Sequence, residues 1–344
     1  MDGTERSPIR SVAVVGLGLI GGSLARRLLP AYDVVGVDAD GATRRDAAAA
    51  GLPVAASIAE AVDGRDLVVV ATPLPALDAV LGAVADAARP GAAVTDVTSV
   101  KVPALAAARA AGLGEGVRWV GGHPMAGVER SGFESSDPAL FDGASWVLCV
   151  EEDTDLAAWL ALAEVLTGLG CRVVPATAAA HDAAVAGVSA LPHLLACALA
   201  EVGVAGGPLA LALAAGSFRD GSRVAAAPPG LVTTLCDGNR DAVVTALDAA
   251  IARLAGARDA LRGGGSVRPL AVAGGDARRR WDGARAGERR STVDIDIGLR
   301  VRLAALAASG GSVTSVGRTT VDCLWPVVTS GDDSTCVDPG RGRA

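Results

Sequence analysis

Residues 11–23, reading SVAVVGLGLIGGS, narrow the possible folds more than any other stretch. The run 11–15 is apolar without alternation, the pattern of a strand covered on both faces in a parallel sheet. Glycines follow at once, and LARRLL after them reads as a helix. Gly16, Gly18 and Gly21 therefore form G-x-G-x-x-G at a strand-to-helix turn. The first glycine permits the tight turn, the second lets backbone approach a pyrophosphate, and the third lets helix and strand pack closely. Leu19 and Ile20 lie where the helix opens, and its N-terminus offers N–H groups and a positive dipole end to phosphates. A second apolar run, VVGVD, ends in Asp38, 22 residues after Gly16. An acid there accepts both ribose hydroxyls of an adenosine and repels a 2′-phosphate. NAD is favoured over NADP, with Arg44 and Arg45 the nearest residues able to serve a phosphate.

The same alternation runs on. Strands are predicted over 66–73, 92–97, 118–124, 144–150 and 171–176, with helices over 76–88 and 155–169. This predicts an α/β domain over residues 1–176, a doubly wound parallel sheet of the Rossmann type. Ligands of such sheets bind beyond the carboxyl ends of the strands. Gly16–Gly21, Asp96–Lys101 and Gly121–Gly127 all fall there, and Thr72 and Pro73 end another strand where a cofactor would lie.

After Ala176 the pattern becomes helical, with Ala-rich apolar faces, and a second, all-helical domain is expected over 177–290. A bundle that apolar buries part of its surface against a second copy, so a homodimer is expected. Hydrophobic residues make up 51% of the chain and aromatics only 3%, so the core must be Ala, Val and Leu. Residues 183–200 carry no formal charge, but Pro192 and His193 interrupt them, and a buried helix is expected rather than a membrane span. With 31 basic and 38 acidic residues the net charge is −7, which opposes non-specific binding to nucleic acid or an anionic membrane. The basic cluster Arg278, Arg279, Arg280, Arg285, Arg289, Arg290 is interspersed with acids and reads as a solvated face. Six scattered cysteines without a CxxC pair suggest a reducing compartment, no metal site and a cytoplasmic protein. The first ten residues hold no apolar signal core. Residues 291–344 form a C-terminal extension, read as a small strand–helix–strand module and then a disordered tail over 330–344.

Of the three histidines, His123 sits in VGGHPMAGVERSGF and the other two, His181 and His193, in HDAAVAGVSALPHLLA. Hydride transfer from a hydroxyl-bearing carbon needs an acceptor for the hydroxyl proton, and imidazole suits that role near neutral pH. His123, at a strand end and stiffened by Pro124, is the candidate. Ser99, on a neighbouring strand end, either shares the hydroxyl, orients the imidazole or caps a helix. Lys101 either acts with Ser99 on the substrate or faces solvent. An anionic substrate needs cations, and Arg223 in FRDGSR, with His193, lies in the segment that must cover the cleft. Glu129 pairs with Arg223 or Arg130 as a gate, or is a surface acid. His181 and Asp182 read equally well as the charged start of a helix.

GLGLIGGS, TDVTSVK, GGHPMAGVERSG, HDAAVAGVSALPHLLA and SFRDGSR, in that order, resemble the prephenate/arogenate dehydrogenase family over roughly residues 10–290. The resemblance implies an NAD-dependent oxidative decarboxylation in tyrosine biosynthesis, turning prephenate into 4-hydroxyphenylpyruvate. Arogenate, converted directly to tyrosine, is the alternative substrate. It implies that His123 accepts the substrate hydroxyl's hydrogen bond, that Ser99 assists, that Arg223 binds a carboxylate, that His193 lines the site and that Glu129 gates it. Two positions depart from the family pattern. Ala190 stands where a histidine is common, and PPGLVTTL follows SFRDGSR where a tryptophan is usual. These departures leave a silent NAD-binding sensor as a rival; an imine reductase, a third reading, shares the Rossmann-plus-helical-dimer plan but has no need of GGHPMAG.

Overall fold

The computed structural model describes residues 8–114, 116–127, 130–284 and 287–326. Strands β1 (Ser11–Val15), β2 (Asp33–Val37), β3 (Leu67–Val70), β4 (Ala93–Asp96) and β5 (Arg118–Val120) form one sheet in the order β2-β1-β3-β4-β5. Every pair in it is parallel, with Val14 beside Gly36 on one flank and Val69 on the other. Their near-continuous valines are buried because helices cover both faces. Those helices are α1 (Leu19–Leu28), α2 (Gly41–Ala49), α3 (Ile58–Val62), α4 (Leu77–Ala87), α5 (Val102–Ala110) and, beyond the sheet, α6 (Leu156–Gly168). Asp40 caps α2, accepting from the Ala42 and Thr43 N–H groups, and Asp155 caps α6, accepting from the Ala158 N–H.

The predicted strand 118–124 divides at Gly121. β5 ends the first sheet, and β6 (Gly122–Pro124) begins a second one with β7 (Ser145–Cys149) and β8 (Arg172–Ala176). The crossing requires a bare backbone, since a Cβ at Gly122 would stand 2.6 Å from the Asp96 carbonyl oxygen. It carries His123 off the parallel sheet and turns it toward the helical segment.

That segment comprises α7 (Ala178–Val185), one π turn over Ala186–Ala190, α8 (Leu191–Ala205), α9 (Gly207–Leu213), α10 (Gly216–Ser222), α11 (Pro229–Asp237), α12 (Arg240–Arg262) and α13 (Arg268–Ala284). The helical stretch Ala178–Ala205 is long and apolar enough to cross a membrane, and only 22% of its most apolar window is buried within this chain. Arg278 and Arg279 pair with Asp282 and Asp276 on the exposed face of α13.

The extension differs from its expected form. It begins at Glu288 with β9 (Glu288–Asp294), continues through α14 (Leu299–Ala308), and ends in two strands, β10 (Ser312–Val316) and β11 (Thr320–Pro326). β10 pairs with β8 through Val313 and Val173, so the second sheet runs β6-β7-β8-β10-β11-β9. Leu299, Leu303 and Leu306 of α14 join the core that holds Trp146 and Trp159. Burying three leucines, each contributing about 1.5–3 kcal/mol, makes the extension part of the body rather than an appendage. The tail expected to be disordered lies outside the described residues.

Candidate active site

A cleft of about 1120 Å³ runs along the carboxyl ends of β1 to β4, lined by Gly16, Gly18, Leu19, Ile20, Asp38, Thr72, Pro73 and Ser99. Gly16 holds φ +97°, open to glycine, and a Cβ there would lie 2.5 Å from the Ala71 carbonyl oxygen. Gly21 sits behind the turn, where a Cβ would come within 1.9 Å of the Gly16 carbonyl oxygen. Gly18, at the N-cap of α1, has nothing within 4 Å of where its Cβ would be, so the backbone is open toward the cleft. No acidic side chain occupies the first turn of α1. A bare glycine cradle before an uncapped helix is the arrangement that holds a pyrophosphate.

Asp38 lines the cleft at the end of β2. One carboxylate oxygen accepts from the Leu17 N–H at 2.7 Å and the other from the Asp40 N–H at 2.8 Å. Arg44 turns to the Asp38 and Ala39 carbonyls, at 2.5 and 3.0 Å. The hydroxyl of Thr72 is buried at the cleft without a hydrogen-bond partner in the described structure, a polar atom available to a ligand. Gly230, Leu231 and Thr234 of α11 wall the other side, so PPGLVTTL covers the cleft with aliphatic and hydroxyl groups.

His123 lies on β6 and is almost fully buried. Its Nδ1 is 2.8 Å from Nε2 of His181 on α7. Nδ1 of His181 is in turn 2.7 Å from an Asp182 carboxylate oxygen. Asp182 also accepts from the N–H groups of Lys101 and Val102 at the start of α5, at 2.7 and 2.8 Å. Asn239 donates to the Asp182 carbonyl at 2.7 Å. Protons are assigned by the acceptor at the far end. The carboxylate can only accept, so His181 carries its proton on Nδ1 and presents a bare Nε2. His123 then donates from Nδ1, which leaves its own Nε2 lone pair free. Burial, with the Lys101 ammonium and His181 nearby, holds the His123 imidazole well below the usual histidine range of about 6.5. It is neutral at neutral pH.

The described residues thus combine a cleft built by two domains, with a bare glycine turn at its floor, and a buried, neutral imidazole held across the same domain boundary. Residues 21–175 match the nucleotide-binding domain of prephenate dehydrogenase, and residues 177–266 match its dimerization domain. The chain belongs to the prephenate dehydrogenase family. A provisionally named prephenate dehydrogenase of Corynebacterium glutamicum is 38% identical, with a TM-score of 0.76 over 81% of this chain and 91% of its own. Synechocystis arogenate dehydrogenase is 30% identical, with a TM-score of 0.70 over 79% of this chain and 99% of its own. The prephenate dehydrogenase of Lactococcus lactis is 30% identical over 64% of this chain, and the match spans 62% of that protein's length.

The other expected site residues of this family member are placed unevenly. Ser99 is half-buried on the turn after β4 and lines the cleft. His193 lies on the first turn of α8, its Nδ1 2.8 Å from the Ser189 carbonyl oxygen exposed by the π turn. Arg223 begins a short turn packed on α8, on the exposed side of the helical domain. Glu129 lies outside the described residues. Lys101 neither reaches a substrate nor faces solvent. It is 1% exposed, and its ammonium is bound to Asp96, to Thr98 Oγ1 at 3.0 Å and to the Gly122 carbonyl at 2.5 Å. The reason is local: β4 and β6 converge there, and a buried carboxylate at Asp96 demands a cation. Ala190 is buried in the helical core with Leu235 and Val243.

Of the partners of His123, Asn239 was not named from sequence, Asp96 entered only as the edge of the segment Asp96–Lys101, and His181 with Asp182 stayed equally open as a helix start. His181 is 58 residues from His123, and the helix-start pattern HD explains it equally well. Buried cysteines stay out of the chemistry, since burial pushes the Cys149 and Cys171 thiols up to about 12.

Proposed function

We propose that this protein is an NAD-dependent prephenate dehydrogenase acting in tyrosine biosynthesis. The observation that carries the reading is the Asp182–His181–His123 chain, which ends in an imidazole Nε2 lone pair. The residues that fit the cofactor are Gly16, Gly18, Leu19 and Ile20 for the pyrophosphate, Asp38 for the adenosine ribose, and Thr72 and Pro73 beside the nicotinamide end. When bound, NAD supplies the hydride acceptor.

His123 Nε2 accepts the hydrogen bond of the substrate's ring hydroxyl. As the hydride leaves that ring carbon, positive charge grows there, and the imidazole draws the hydroxyl proton and disperses it. Loss of the ring carboxylate as CO₂ then aromatises the ring and returns the proton to the phenol oxygen. Ser99 orients the hydroxyl, and Arg223 binds the side-chain carboxylate with His193 lining the pocket. Glu129 gates it. The His181–Asp182 pair fixes the His123 tautomer. Because His123 belongs to the nucleotide-binding domain and His181 to the helical one, the acceptor is complete only when the two domains are docked.

Likeness to an arogenate dehydrogenase favours arogenate as the second substrate to assay. The assay is NADH formation by the purified protein with prephenate and with arogenate. His123→Asn should lose about 10²–10⁴-fold in kcat while keeping NAD affinity; full turnover by that variant would refute the role of His123. Absence of turnover by the parent with either substrate would leave the silent sensor instead.

The protein works as a cytoplasmic homodimer. Val202, Leu209 and Leu213 are more than 70% exposed on α8 and α9, which a second copy would cover. Sedimentation should give twice the chain mass, and Leu209→Asp with Leu213→Asp should give monomer.

A further inference from the structure

The chain keeps one buried ammonium–carboxylate pair that the reaction itself does not touch. Asp96 is fully buried and Lys101 1% exposed. Such a pair is a poor source of stability, because the cost of stripping water from both ions offsets most of their attraction. Its surroundings show what it holds. Asp96 accepts the Gly122 N–H at 3.0 Å, and Lys101 donates to the Gly122 carbonyl at 2.5 Å. Both polar groups of the residue before His123 are therefore gripped by the pair. The second Asp96 oxygen also accepts from the Thr98 N–H at 3.0 Å, beside Ser99. Meanwhile the backbone N–H of Lys101 itself holds Asp182.

We propose that Lys101, with Asp96, is a positioning residue of the reaction: its side chain fixes the His123 end of the imidazole chain while its backbone fixes the Asp182 end. One residue thereby sets both ends of a chain that spans two domains. The inference rests on the reading of His123 as the hydroxyl acceptor.

The pair has an electrostatic consequence as well. Among the described residues, the charged or titratable groups around His123 are Lys101 with its partner Asp96, and Cys149 and Glu151 beside that pair, from the nucleotide-binding domain, and His181 with its partner Asp182 from α7. Of these, the Lys101 ammonium opposes a second positive charge on the imidazole, and the thiol stays neutral. Burial first, and the Lys101 ammonium after it, keep the Nε2 lone pair available at pH values where an ordinary histidine would be protonated. A lysine that only filled space would not do this.

The test uses the full chain labelled with ¹⁵N-histidine, whose three imidazoles can be followed separately by NMR. Lys101→Met keeps the length of the side chain and removes the charge. Lys101→Met/Asp96→Asn also removes the orphaned carboxylate, so it folds if the single variant does not. In either, His123 should titrate nearer the ordinary value of about 6.5. The acid limb of kcat/KM should rise with it, and kcat at neutral pH should fall about 10–100-fold. KM for NAD should change by less than about twofold. A folded variant with unchanged His123 titration overturns the proposal, even if kcat falls, because the loss would then be general damage. The titration needs no turnover, so it reports on the Lys101 clamp even if His123→Asn proves active.

Discussion

Asp182→Asn is the sharpest perturbation of this site. It preserves volume and removes one charge. In the native chain, one Asp182 oxygen accepts from Lys101 N–H and from His181 Nδ1, and the other accepts from Val102 N–H. An amide has one oxygen for these three donors. If the oxygen faces His181, the new NH₂ meets the Val102 N–H, donor against donor. If it faces Val102, the NH₂ meets the Lys101 N–H and His181 Nδ1. His181 must then accept at Nδ1 and carry its proton on Nε2, against the Nδ1–H of His123. His123 turns to the other tautomer, with its proton on Nε2, and its acceptor lone pair is gone. The first arrangement strands the part-buried Val102 N–H and the second the buried Lys101 N–H, each at a cost of up to about 1–3 kcal/mol of stability. The second also removes the proton acceptor, worth about 10²–10⁴ in rate. Wherever the amide takes the second arrangement, kcat falls at least about 100-fold with little change in KM for NAD, measured by NADH formation, and ¹⁵N-histidine spectra show which tautomer His123 holds. Urea unfolding would give the stability loss. A kcat within about threefold of the parent while His123 carries its proton on Nε2 would refute the tautomer reasoning.

Two further outcomes follow from the geometry. Gly21→Ala places a methyl 1.9 Å from the Gly16 carbonyl oxygen and 2.9 Å from Ala71 Cβ, so the cradle must move; about 1–3 kcal/mol of stability should be lost, and calorimetry should show NAD binding weakened far more than in Asp40→Ala, which only uncaps α2. The His123 imidazole is held below about 6.5 by burial, so the unfolded chain binds a proton that the folded chain refuses. This contribution to stability is complete above about pH 6.5 and is lost as pH falls toward the lowered folded value; urea unfolding across that range should show a slope that His123→Gln flattens.

The nucleotide-binding half of the molecule was legible because its signals are local. An apolar run, a glycine turn and an acid at the next strand end are short-range patterns, and Gly16, Gly18, Gly21 and Asp38 stand where that pattern puts them. The helical character of residues 177–261 was legible for the same reason. His123 was legible as an unusual residue at a strand end. Its neighbours were not, since they arrive through packing of elements far apart in the chain. Lys101 shows the limit: a lysine near a cleft reads as a ligand, and only the convergence of β4 and β6 on Asp96 makes it a buried clamp.

What the sequence by itself determined is the set of elements and the chemistry each can offer: a dinucleotide turn, a histidine beside glycines, and an apolar bundle. The tertiary structure decided which of them act together. It split one predicted strand at Gly121, aimed His123 across the domain boundary at His181, and drew residues 288–326 into the second sheet. The physical reason is that hydrogen-bond geometry and burial are properties of assembled neighbours. A tautomer, a buried ion pair and a sheet partner exist only once the chain has folded back on itself.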